Sequence, residues 1–427
     1  MLIGAEVRRV AIVGGSRIPF ARGMGVYAGV GNQEMLTAAL QGLVARYGLA
    51  GERLGEVAAG AVIKHSSQWN LARESVLGCG LAPETPAVDL QRACGTSLEA
   101  AIMVGNKIAL GQIDSGVAAG VDSVSDAPIV YPRDYQQLLL ASARGRSLGA
   151  RLAPWLRLRP KFFKPVAPSV IEPRTGRSMG ESCELMAKQW LIGRAAQDEL
   201  ACDSHLRAAA AYAAGFYKNL VVEYRGLGAD NNLRPDTSVE KLAKLAPVFD
   251  RSATGTLTAG NSTPLTDGAA AVLLASEAWA RARDLPVLAY LTTAAVAAVD
   301  FVADEGLLMG PAYAVPKLLA ARDLTLQDFD YYEIHEAFAA QVLCTLKAWE
   351  SGEFCRNRLG LAAPLGSIDR SRLNVVGSSL AIGHPFAATG ARIVATLAKL
   401  LAERGGRRGL ISICTAGGMG VTAILER

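Results

Sequence analysis

One pattern occurs twice in this sequence: a short apolar segment, a turn of small residues, a helix, a glycine and a second apolar segment. The first copy covers 88–121 and has Cys94 at its turn, and the second covers 373–414 and has His384 at its turn. Buried apolar segments that alternate with helices are typical of sheets that are covered on both faces. The repetition therefore predicts a duplicated α/β protein whose two halves pack face to face.

Apolar runs and helical periodicity extend this interpretation to the rest of the chain. Thr96 and Glu99 have the spacing of a capping box, which places the start of a helix directly after Cys94. The positive end of that helix favours the thiolate form of Cys94. We expect strands at 8–13, ended by a turn at Gly14–Gly15, and at 57–62, 256–261, 269–274 and 373–376, and helices at 33–47, 96–110, 199–217 and 390–404.

The chain length requires more than one unit, because 427 residues are too many for one ordinary hydrophobic core. Between 127 and 245 the pattern is mostly helical and irregular, and strand patterns resume after it. We therefore predict an N-terminal half at 1–126 that is completed by 246–282, an inserted, mostly helical segment at 127–245, and a C-terminal half at 283–427.

Composition restricts the setting and the partners. The net charge is only +5, which gives no general argument for nucleic-acid binding. The seven cysteines are scattered and form no C-x-x-C pair, which fits a reducing cytoplasm. We expect no signal peptide and no membrane span. We also expect no metal site, because none of the four histidines has a neighbouring ligand at metal-binding spacing.

One segment concentrates positive charge. No acidic residue occurs from 135 to 171, and seven basic residues lie within 144–165, interleaved with Trp155 and other apolar residues. Such a segment can lie on an anionic membrane surface or dock a partner. The alternative is a solvated loop whose apolar residues fold back on the body of the protein.

Reactive side chains occur at four predicted strand ends or turns. Cys94 and Cys414 each follow an apolar segment, His335 follows another, and His384 lies between a glycine and a proline. Taken singly, each cysteine is explained as well by the core, and each histidine by a local hydrogen bond. Strand ends are where sites are built in α/β proteins, so the four together predict one active site.

These elements resemble the signature segments of the thiolase family, and they occur in the family's order. The matching segments are 91–97, 335–338, 383–385 and 414–420, with further matches at 179–184 and 259–269. The resemblance covers essentially the whole chain. It implies a thiolase-like fold, in which two duplicated α/β halves are stacked in layers (αβαβα) and a loop domain is inserted in the first half.

The resemblance also implies a catalytic role for each residue. Cys94 would be the nucleophile, His384 its base, and Cys414 the general acid. His335 would hold a water molecule that, with His384, stabilises one oxyanion. The backbone N–H groups of Cys94 and Ala416 would stabilise the second oxyanion.

The implied reaction is the CoA-dependent cleavage of a 3-ketoacyl-CoA in fatty-acid β-oxidation through an acyl-cysteine. Coenzyme A would be a substrate, and no bound cofactor is expected. Met179, Thr263 and Phe338 match positions that line the channel for coenzyme A or the acyl chain. The alternatives are a biosynthetic acetoacetyl-CoA thiolase, a β-ketoacyl synthase with two histidines in place of the Cys414 element, a Cys–His hydrolase, and a lipid-binding or complex-forming subunit.

Two features are similar to the β-subunit of the fatty-acid oxidation complex: His335, where most thiolases have asparagine, and the sequence that follows His384. This subgroup implies a homodimer or tetramer, an α-subunit with hydratase and dehydrogenase activity, and peripheral membrane contact through 144–165. Ala416 and Ala387 depart from the family, which usually has glycine there, and Ala416 would be strained if φ were positive. Ser378–Ser379 is a further departure, without an obvious chemical consequence.

Overall fold

The computed structural model describes residues 7–427, which contain ten strands and fourteen α-helices. The strands are β1 (Val10–Arg17), β2 (Ala21–Arg22), β3 (Glu56–Ala59), β4 (Ala87–Asp89), β5 (Ser115–Asp122), β6 (Thr266–Ser276), β7 (Ala289–Ala298), β8 (Tyr331–Ile334), β9 (Arg408–Thr415) and β10 (Met419–Glu426). The helices are α1 (Asn32–Tyr47), α2 (Leu71–Cys79), α3 (Thr96–Ala109), α4 (Arg133–Arg144), α5 (Leu148–Leu152), α6 (Met179–Gln189), α7 (Arg194–Ala213), α8 (Val239–Ala243), α9 (Glu277–Arg281), α10 (Gly310–Ala320), α11 (Ala339–Glu350), α12 (Gly352–Asn357), α13 (Ser379–Ile382) and α14 (Thr389–Arg404). Within residues 7–427, no helix combines the length and the apolar character needed to cross a membrane.

The strands form one sheet in the order β4-β3-β5-β6-β1-β7-β10-β9-β8, with β2 paired to β6. The two halves meet where β1 and β7 share two antiparallel residue pairs, Ala11 with Tyr290 and Ile12 with Ala289. On each side of this junction the pairings repeat in mirrored order. The parallel pairs β3–β5 and β8–β9 correspond, as do the antiparallel pairs β5–β6 and β9–β10. The predicted duplication is therefore visible in the topology.

Successive residues of the strands face different cores, as a sheet covered on both faces requires. On β5, Val117 faces the outer helices α1 and α2, whereas Ala118 faces a central core. The central core surrounds α3 and α14, one helix from each half, and includes Ile411 and Ile413 of β9. Leu410 faces the opposite side, where α10 and α11 cover the second half. The two halves of the sheet thus lie on opposite sides of α3 and α14. The resulting layers are helix, sheet half, helix, sheet half, helix, as predicted.

The central helices α3 and α14 touch at backbone distance. A Cβ atom at Gly390 would lie 2.3 Å from the backbone nitrogen of Leu98. The Ser97 hydroxyl donates to the Ala387 carbonyl at 2.5 Å and accepts from the Ala391 N–H at 2.8 Å. Because α3 begins just after one predicted catalytic turn and α14 just after the other, this contact brings the two turns together.

The capping box predicted at the start of α3 is not formed. The cap residue is Gly95, and Thr96 is already the first residue of the helix. The Thr96 hydroxyl donates to the Ala93 carbonyl at 2.6 Å, and Glu99 pairs with Arg92 at 3.0 Å. The backbone N–H groups of Gly95 and Thr96 donate to the Arg92 and Ala93 carbonyls at 2.9 and 3.1 Å. The N–H groups of the cap residue and of the first helical residue are therefore engaged in the turn.

Several predicted strand limits are wrong. No turn forms at Gly14–Gly15: both glycines pair with β6 within β1, directly after a β-bulge between Ile12 and Gly14, and they leave room for Tyr47 of α1 and Ala395 of α14. The strand expected at 57–62 ends at Ala59. The segments 256–261 and 373–376 are not strands, and each contributes one isolated bridge. The second half therefore has no full counterpart of β4.

The segment 127–245 contains α4 to α8 and long irregular stretches. Its longest helix, α7, packs into the central core through Ala208 and Ala211, and Tyr217 follows in the same core. The Tyr217 hydroxyl donates to the Val376 carbonyl of the second half at 2.7 Å. The end of this segment is thus built into the layered body, and the four predicted domain limits stay a prediction.

We expect Gly390→Val to lower the free energy of unfolding by roughly 3 kcal/mol, because the new side chain would overlap the backbone of Leu98 at the helix crossing. Chemical denaturation followed by circular dichroism measures this loss. Gly149→Ala is the control, since nothing lies within 4 Å of a Cβ atom there and alanine suits the helix α5. Equal stabilities for the two variants would contradict the close crossing of α3 and α14.

Candidate active site

Cys94 lies in the tight turn between β4 and α3. Ala93, before it, has a φ of 42°, a left-handed conformation that costs an alanine about 1 kcal/mol. Such strain is concentrated at functional sites. A Cβ atom on Gly95, after it, would meet the side chains of Val421 and Thr415 at 2.9 and 3.0 Å. The turn is therefore pressed against the β9–β10 hairpin, with the half-buried thiol of Cys94 beside it.

The structure brings the four predicted catalytic residues together. The Sγ atom of Cys94 and one ring nitrogen each of His335 and His384 lie within 4.8 Å of one another. The two imidazole centroids are 4.1 Å apart. Cys414 is buried beside them, and burial together with the nearby Cys94 raises the pKa of its thiol well above the ordinary value.

His384 is fixed through its backbone and its ring. Its N–H donates to the Thr266 hydroxyl at 2.8 Å, and Nδ1 contacts the Thr389 hydroxyl at 2.6 Å. His384 is only 4 % exposed. Within residues 7–427 its Nε2 atom has no hydrogen-bond partner, which leaves that nitrogen available to Cys94. Burial, and then the Arg392 cation, lowers the pKa of His384 to about 3.

His335 follows β8 and is completely buried. Its backbone N–H donates to the Ser412 carbonyl at 2.8 Å, and its Nδ1 contacts the Ser379 hydroxyl at 2.8 Å. Burial, followed by His384 and Arg392, lowers the pKa of His335 well below the ordinary value. Both histidines are therefore neutral at pH 7.

The Cys94 thiol is protonated at neutral pH, contrary to the prediction of a helix-stabilised thiolate. Burial raises its pKa to about 12, although the Ala416 N–H that bonds to the sulfur lowers it. The carboxyl of Asp122 raises the pKa further. The N–H of Thr96, the first residue of α3, donates to the Ala93 carbonyl of the turn and not to the sulfur. Nucleophilic attack by Cys94 therefore requires a base.

Ala416 lies in the loop 416–418 between β9 and β10. The positive φ values of this loop belong to Gly417 at 78° and Gly418 at 73°, and Ala416 has none. The alanine is therefore unstrained, and its N–H points at the Cys94 sulfur. The Gly417 N–H donates to Oε1 of Glu172 at 2.8 Å, so the inserted segment also supports this loop.

A cavity of about 310 Å³ opens at Cys94 and Ala416. Met179 lines it, whereas Thr263 and Phe338 do not. The Thr263 N–H donates to the Ala337 carbonyl at 3.0 Å, and Phe338 packs edge-on against Phe249 with centroids 5.8 Å apart. The mostly apolar wall includes Val62, Ile63, Val124, Val170, Ile171, Leu265 and Phe386.

Comparison with known proteins places this arrangement in a family. Residues 10–278 match the model described as "Thiolase, N-terminal domain", and residues 285–427 match "Thiolase, C-terminal domain". The chain belongs to the thiolase family. Two relatives named 3-ketoacyl-CoA thiolase, from Pectobacterium atrosepticum and Yersinia pestis, are 43 % and 42 % identical to it over 100 % of this chain and 98 % of their own length.

Solved thiolase-family structures share the fold. The acetyl-CoA acetyltransferase of Bacillus anthracis superposes with a TM-score of 0.82 at 30 % identity, covering 99 % of this chain and 100 % of its own. The human mitochondrial 3-ketoacyl-CoA thiolase superposes with a TM-score of 0.80 at 28 % identity, covering 99 % of both chains. The predicted fold class is therefore confirmed.

Sequence reasoning missed Asp122, which joins two loops of this thiolase site. Its carboxylate accepts from the N–H groups of Val62, Ile63 and Ala387 at 2.9, 2.7 and 2.8 Å. Burial raises the pKa of Asp122 to about 7. Ala387, like Ala416 a position where the family usually has glycine, has no positive φ and is therefore unstrained as well. No local pattern distinguishes Asp122 from any other polar residue at a strand end.

Asn374 and Glu336 hold the loop that follows β8, and neither was given a role from sequence. The Asn374 amide donates to Oε1 of Glu336 at 2.6 Å and to the Ile334 carbonyl at 2.9 Å. The Ser204 hydroxyl donates to Oε2 of Glu336 at 2.7 Å. Asn374 has a φ of 46°, which explains why 373–376 cannot continue as a strand.

Cys94, His335 and His384 offer a donor set that resembles a metal site, although their sequence positions gave no such signal. These three atoms lie within 4.8 Å of one another. The Arg392 cation, which lowers the pKa values of both histidines, also opposes a metal cation. The expectation of catalysis without a metal stays a prediction.

Alkylation of Cys94 by iodoacetamide should accelerate about tenfold per pH unit from pH 6 to 9.5, because only the thiolate reacts and its pKa is raised to about 12. His384 adds no inflection in this range, since its lowered pKa of about 3 keeps it neutral throughout. Mass spectrometry of the labelled peptide measures the rate, with Cys94→Ser as the blank. A constant rate between pH 6 and 8 would indicate a preformed thiolate–imidazolium pair instead.

Proposed function

We propose that this chain is a degradative 3-ketoacyl-CoA thiolase, which cleaves a 3-ketoacyl-CoA with coenzyme A to give acetyl-CoA and a shortened acyl-CoA. The observation that carries the proposal is the convergence of two cysteines and two neutral histidines beside one apolar cavity. The names of the full-length relatives support the same reaction.

The first half-reaction forms an acyl-enzyme. His384 Nε2 takes the proton of Cys94 while the sulfur attacks the C3 carbonyl of the substrate. The C2–C3 bond then breaks, and its electron pair moves onto C2 and the thioester carbonyl. Cys414 donates its proton to C2, which releases acetyl-CoA and leaves the shortened acyl group on Cys94. The raised pKa of Cys414 supports this role, because it keeps the acid protonated at neutral pH.

The second half-reaction restores every group. The Cys414 thiolate takes the proton of an incoming coenzyme A thiol, whose sulfur attacks the acyl-Cys94 carbonyl. The Cys94 sulfur leaves and recovers its proton from His384. One oxyanion is stabilised beside His335 and His384, and the other by the N–H groups of Cys94 and Ala416. The bond from the Ala416 N–H to the Cys94 sulfur supports the second assignment.

The alternatives fit the site less well. A β-ketoacyl synthase would need the two histidines, which are present, but it has no use for a buried Cys414 beside the nucleophile. A Cys–His hydrolase has no use for it either, and a non-catalytic subunit has no need for the full set. An acetoacetyl-CoA thiolase uses the same residues, and the name 3-ketoacyl-CoA thiolase of the full-length relatives favours the degradative reaction.

Thiolysis of 3-ketoacyl-CoA substrates of increasing chain length should peak at medium or long chains. Cys94→Ala should lose about 10⁴-fold or more in kcat and form no acyl-enzyme by intact mass, because the nucleophile is gone. Cys414→Ala should lose about 10²- to 10⁴-fold through loss of the general acid. Cys202→Ala is the control, since that buried cysteine packs in a separate cluster. Activity confined to acetoacetyl-CoA would favour the biosynthetic alternative, and none at any length would contradict the proposal.

The basic segment supports a further part of the proposal, peripheral contact with an anionic membrane. Phe162 is buried, but several other large apolar residues of the segment are exposed: Leu148 is 75 % exposed, Leu156 is 90 % and Phe163 is 56 %. All seven basic residues within 144–165 are exposed as well. An exposed surface that combines apolar and basic side chains suits the interface of an anionic bilayer.

We also propose that the chain forms a homodimer or tetramer, and that it associates with an α-subunit that has hydratase and dehydrogenase activity. Both proposals rest on the family resemblance alone.

Vesicles that contain phosphatidylserine should bind the protein, and neutral phosphatidylcholine vesicles should not. Reversing two charges in Arg157→Glu/Arg159→Glu should weaken binding about 30-fold or more, at about 1 kcal/mol per basic residue removed. Leu156→Ser should weaken it through loss of apolar contact, while Leu77→Ser, on the exposed face of α2, should not. Co-sedimentation measures the bound fraction. Equal binding to both lipids, or to neither, would contradict membrane contact through this segment.

A further inference from the structure

We propose that Arg392 and Ser379 form a positioning relay that holds the proton of His335 on Nε2, so that His335 acts as a hydrogen-bond donor to the oxyanion on its side of the site. The inference deepens the proposed thiolase function and rests on it for the identity of the oxyanion. The protonation state itself is a property of the resting protein.

The hydrogen bonds fix the direction of the relay. Nη2 of Arg392 donates to the Ser379 hydroxyl at 2.6 Å, and a guanidinium has only donors. The Ser379 oxygen is 2.8 Å from Nδ1 of His335. With its oxygen accepting from arginine, the hydroxyl still has one proton to donate, and within residues 7–427 Nδ1 of His335 is the one acceptor in hydrogen-bond contact with it. A ring nitrogen that accepts carries no proton, so the proton of this neutral imidazole lies on Nε2.

The opposite tautomer would leave a buried hydroxyl proton without an acceptor. Ser379 and His335 are both 0 % exposed, and Arg392 is 1 % exposed, so water cannot compensate. The Nε2–H tautomer leaves one buried group without a partner, the Nε2–H itself, whereas the opposite tautomer leaves two, the Ser379 hydroxyl proton and Nε2. Each unpaired buried polar group is costly, so the first tautomer is favoured. Arg392 cannot turn away easily, because its Nη1 donates to the Ser378 hydroxyl at 3.1 Å and lies 3.8 Å from Oε2 of the buried Glu333.

The relay gives two adjacent histidines opposite roles. Each Nδ1 faces a hydroxyl, Thr389 for His384 and Ser379 for His335. Only the Ser379 hydroxyl is also engaged by an arginine. The proposed role of His384 requires Nε2 to accept a proton, so its Nδ1–H must donate to the Thr389 oxygen, with which no arginine bonds within residues 7–427. One unpartnered Nε2 is then an acceptor toward Cys94, and the other is a donor toward the oxyanion.

The neighbouring serine provides a matched control. Ser378 contacts the same guanidinium as Ser379, is equally buried, and does not contact His335. If Arg392 and the two serines only hold α13 against α14, Ser378→Ala and Ser379→Ala should have similar effects. If Ser379 sets the tautomer, only Ser379→Ala should affect the reaction strongly.

Two measurements on the full chain test the relay. Nitrogen-15 NMR of the histidine side chains, assigned with His335→Asn, should find the His335 proton on Nε2 in the wild type and a mixture of tautomers in Ser379→Ala. Steady-state thiolysis should show kcat lowered about 10- to 100-fold in Ser379→Ala with KM within about twofold, since one oxyanion donor is weakened. Ser378→Ala should remain within about twofold of the wild type. The double variant His335→Asn/Ser379→Ala should be no slower than His335→Asn, because the serine acts through the histidine.

Several outcomes overturn the relay. If NMR finds the His335 proton of the wild type on Nδ1, the relay is excluded. This measurement uses the wild-type protein and does not depend on a variant that folds. Equal losses of kcat in Ser378→Ala and Ser379→Ala would indicate that Ser379 has only a structural role. The same conclusion would follow if the kcat losses of the two single variants multiplied in His335→Asn/Ser379→Ala. If the wild type lacked thiolase activity while NMR placed the proton on Nε2, the proposed function would fail and the relay would stand.

Discussion

The contact between α3 and α14 is the constraint on which the rest of the structure depends. Cys94 precedes one helix and His384 precedes the other, so neither turn alone contains a nucleophile with its base. Gly390 permits the two backbones to touch, and Ser97 bonds to residues on both sides of the start of α14. The duplicated halves must each bury one face of their own helix, and only a shared central layer buries both. The active site is therefore a consequence of how the duplicated fold closes.

Burial, more than the helix dipole, determines the electrostatics at this position. Removing charge-bearing groups from water favours their neutral forms, which raises the pKa values of Cys94 and Cys414 and lowers those of His335 and His384. The one persistent cation, Arg392, has Glu333 beside it, and burial raises the pKa of that carboxyl to about 8. The reacting groups of the resting site are consequently neutral, and charge arises only when a proton is transferred between neighbours.

Sequence reasoning proposed catalytic residues that the structure brings together, but it missed several groups that contact them. Cys94, His384 and Cys414 stand in local patterns of strand, turn and helix that can be recognised along the chain. Asp122 bonds to Ala387, 265 residues later in the sequence, and Ser379 contacts His335, 44 residues before it. No local sequence pattern records contacts over such separations. The predicted capping box is absent because the helix begins one residue earlier than the pattern required, with Gly95 as its cap, and because Thr96 and Glu99 bond to Ala93 and Arg92. The layers were predictable because apolar periodicity follows burial directly.

Neutral groups in a dry site suit a reaction that runs through charge-separated steps. Each proton transfer from a thiol creates an ion pair, and fixed donors stabilise the oxyanion without the cost of reorganising water. A histidine in place of the family's usual asparagine brings a second titratable ring into this setting, and such a ring can carry its proton on either nitrogen. A donor there requires that one tautomer be selected by its surroundings. His335 and Ser379 are thus two departures that make chemical sense together, whereas the first without the second would leave the direction of the hydrogen bond undetermined.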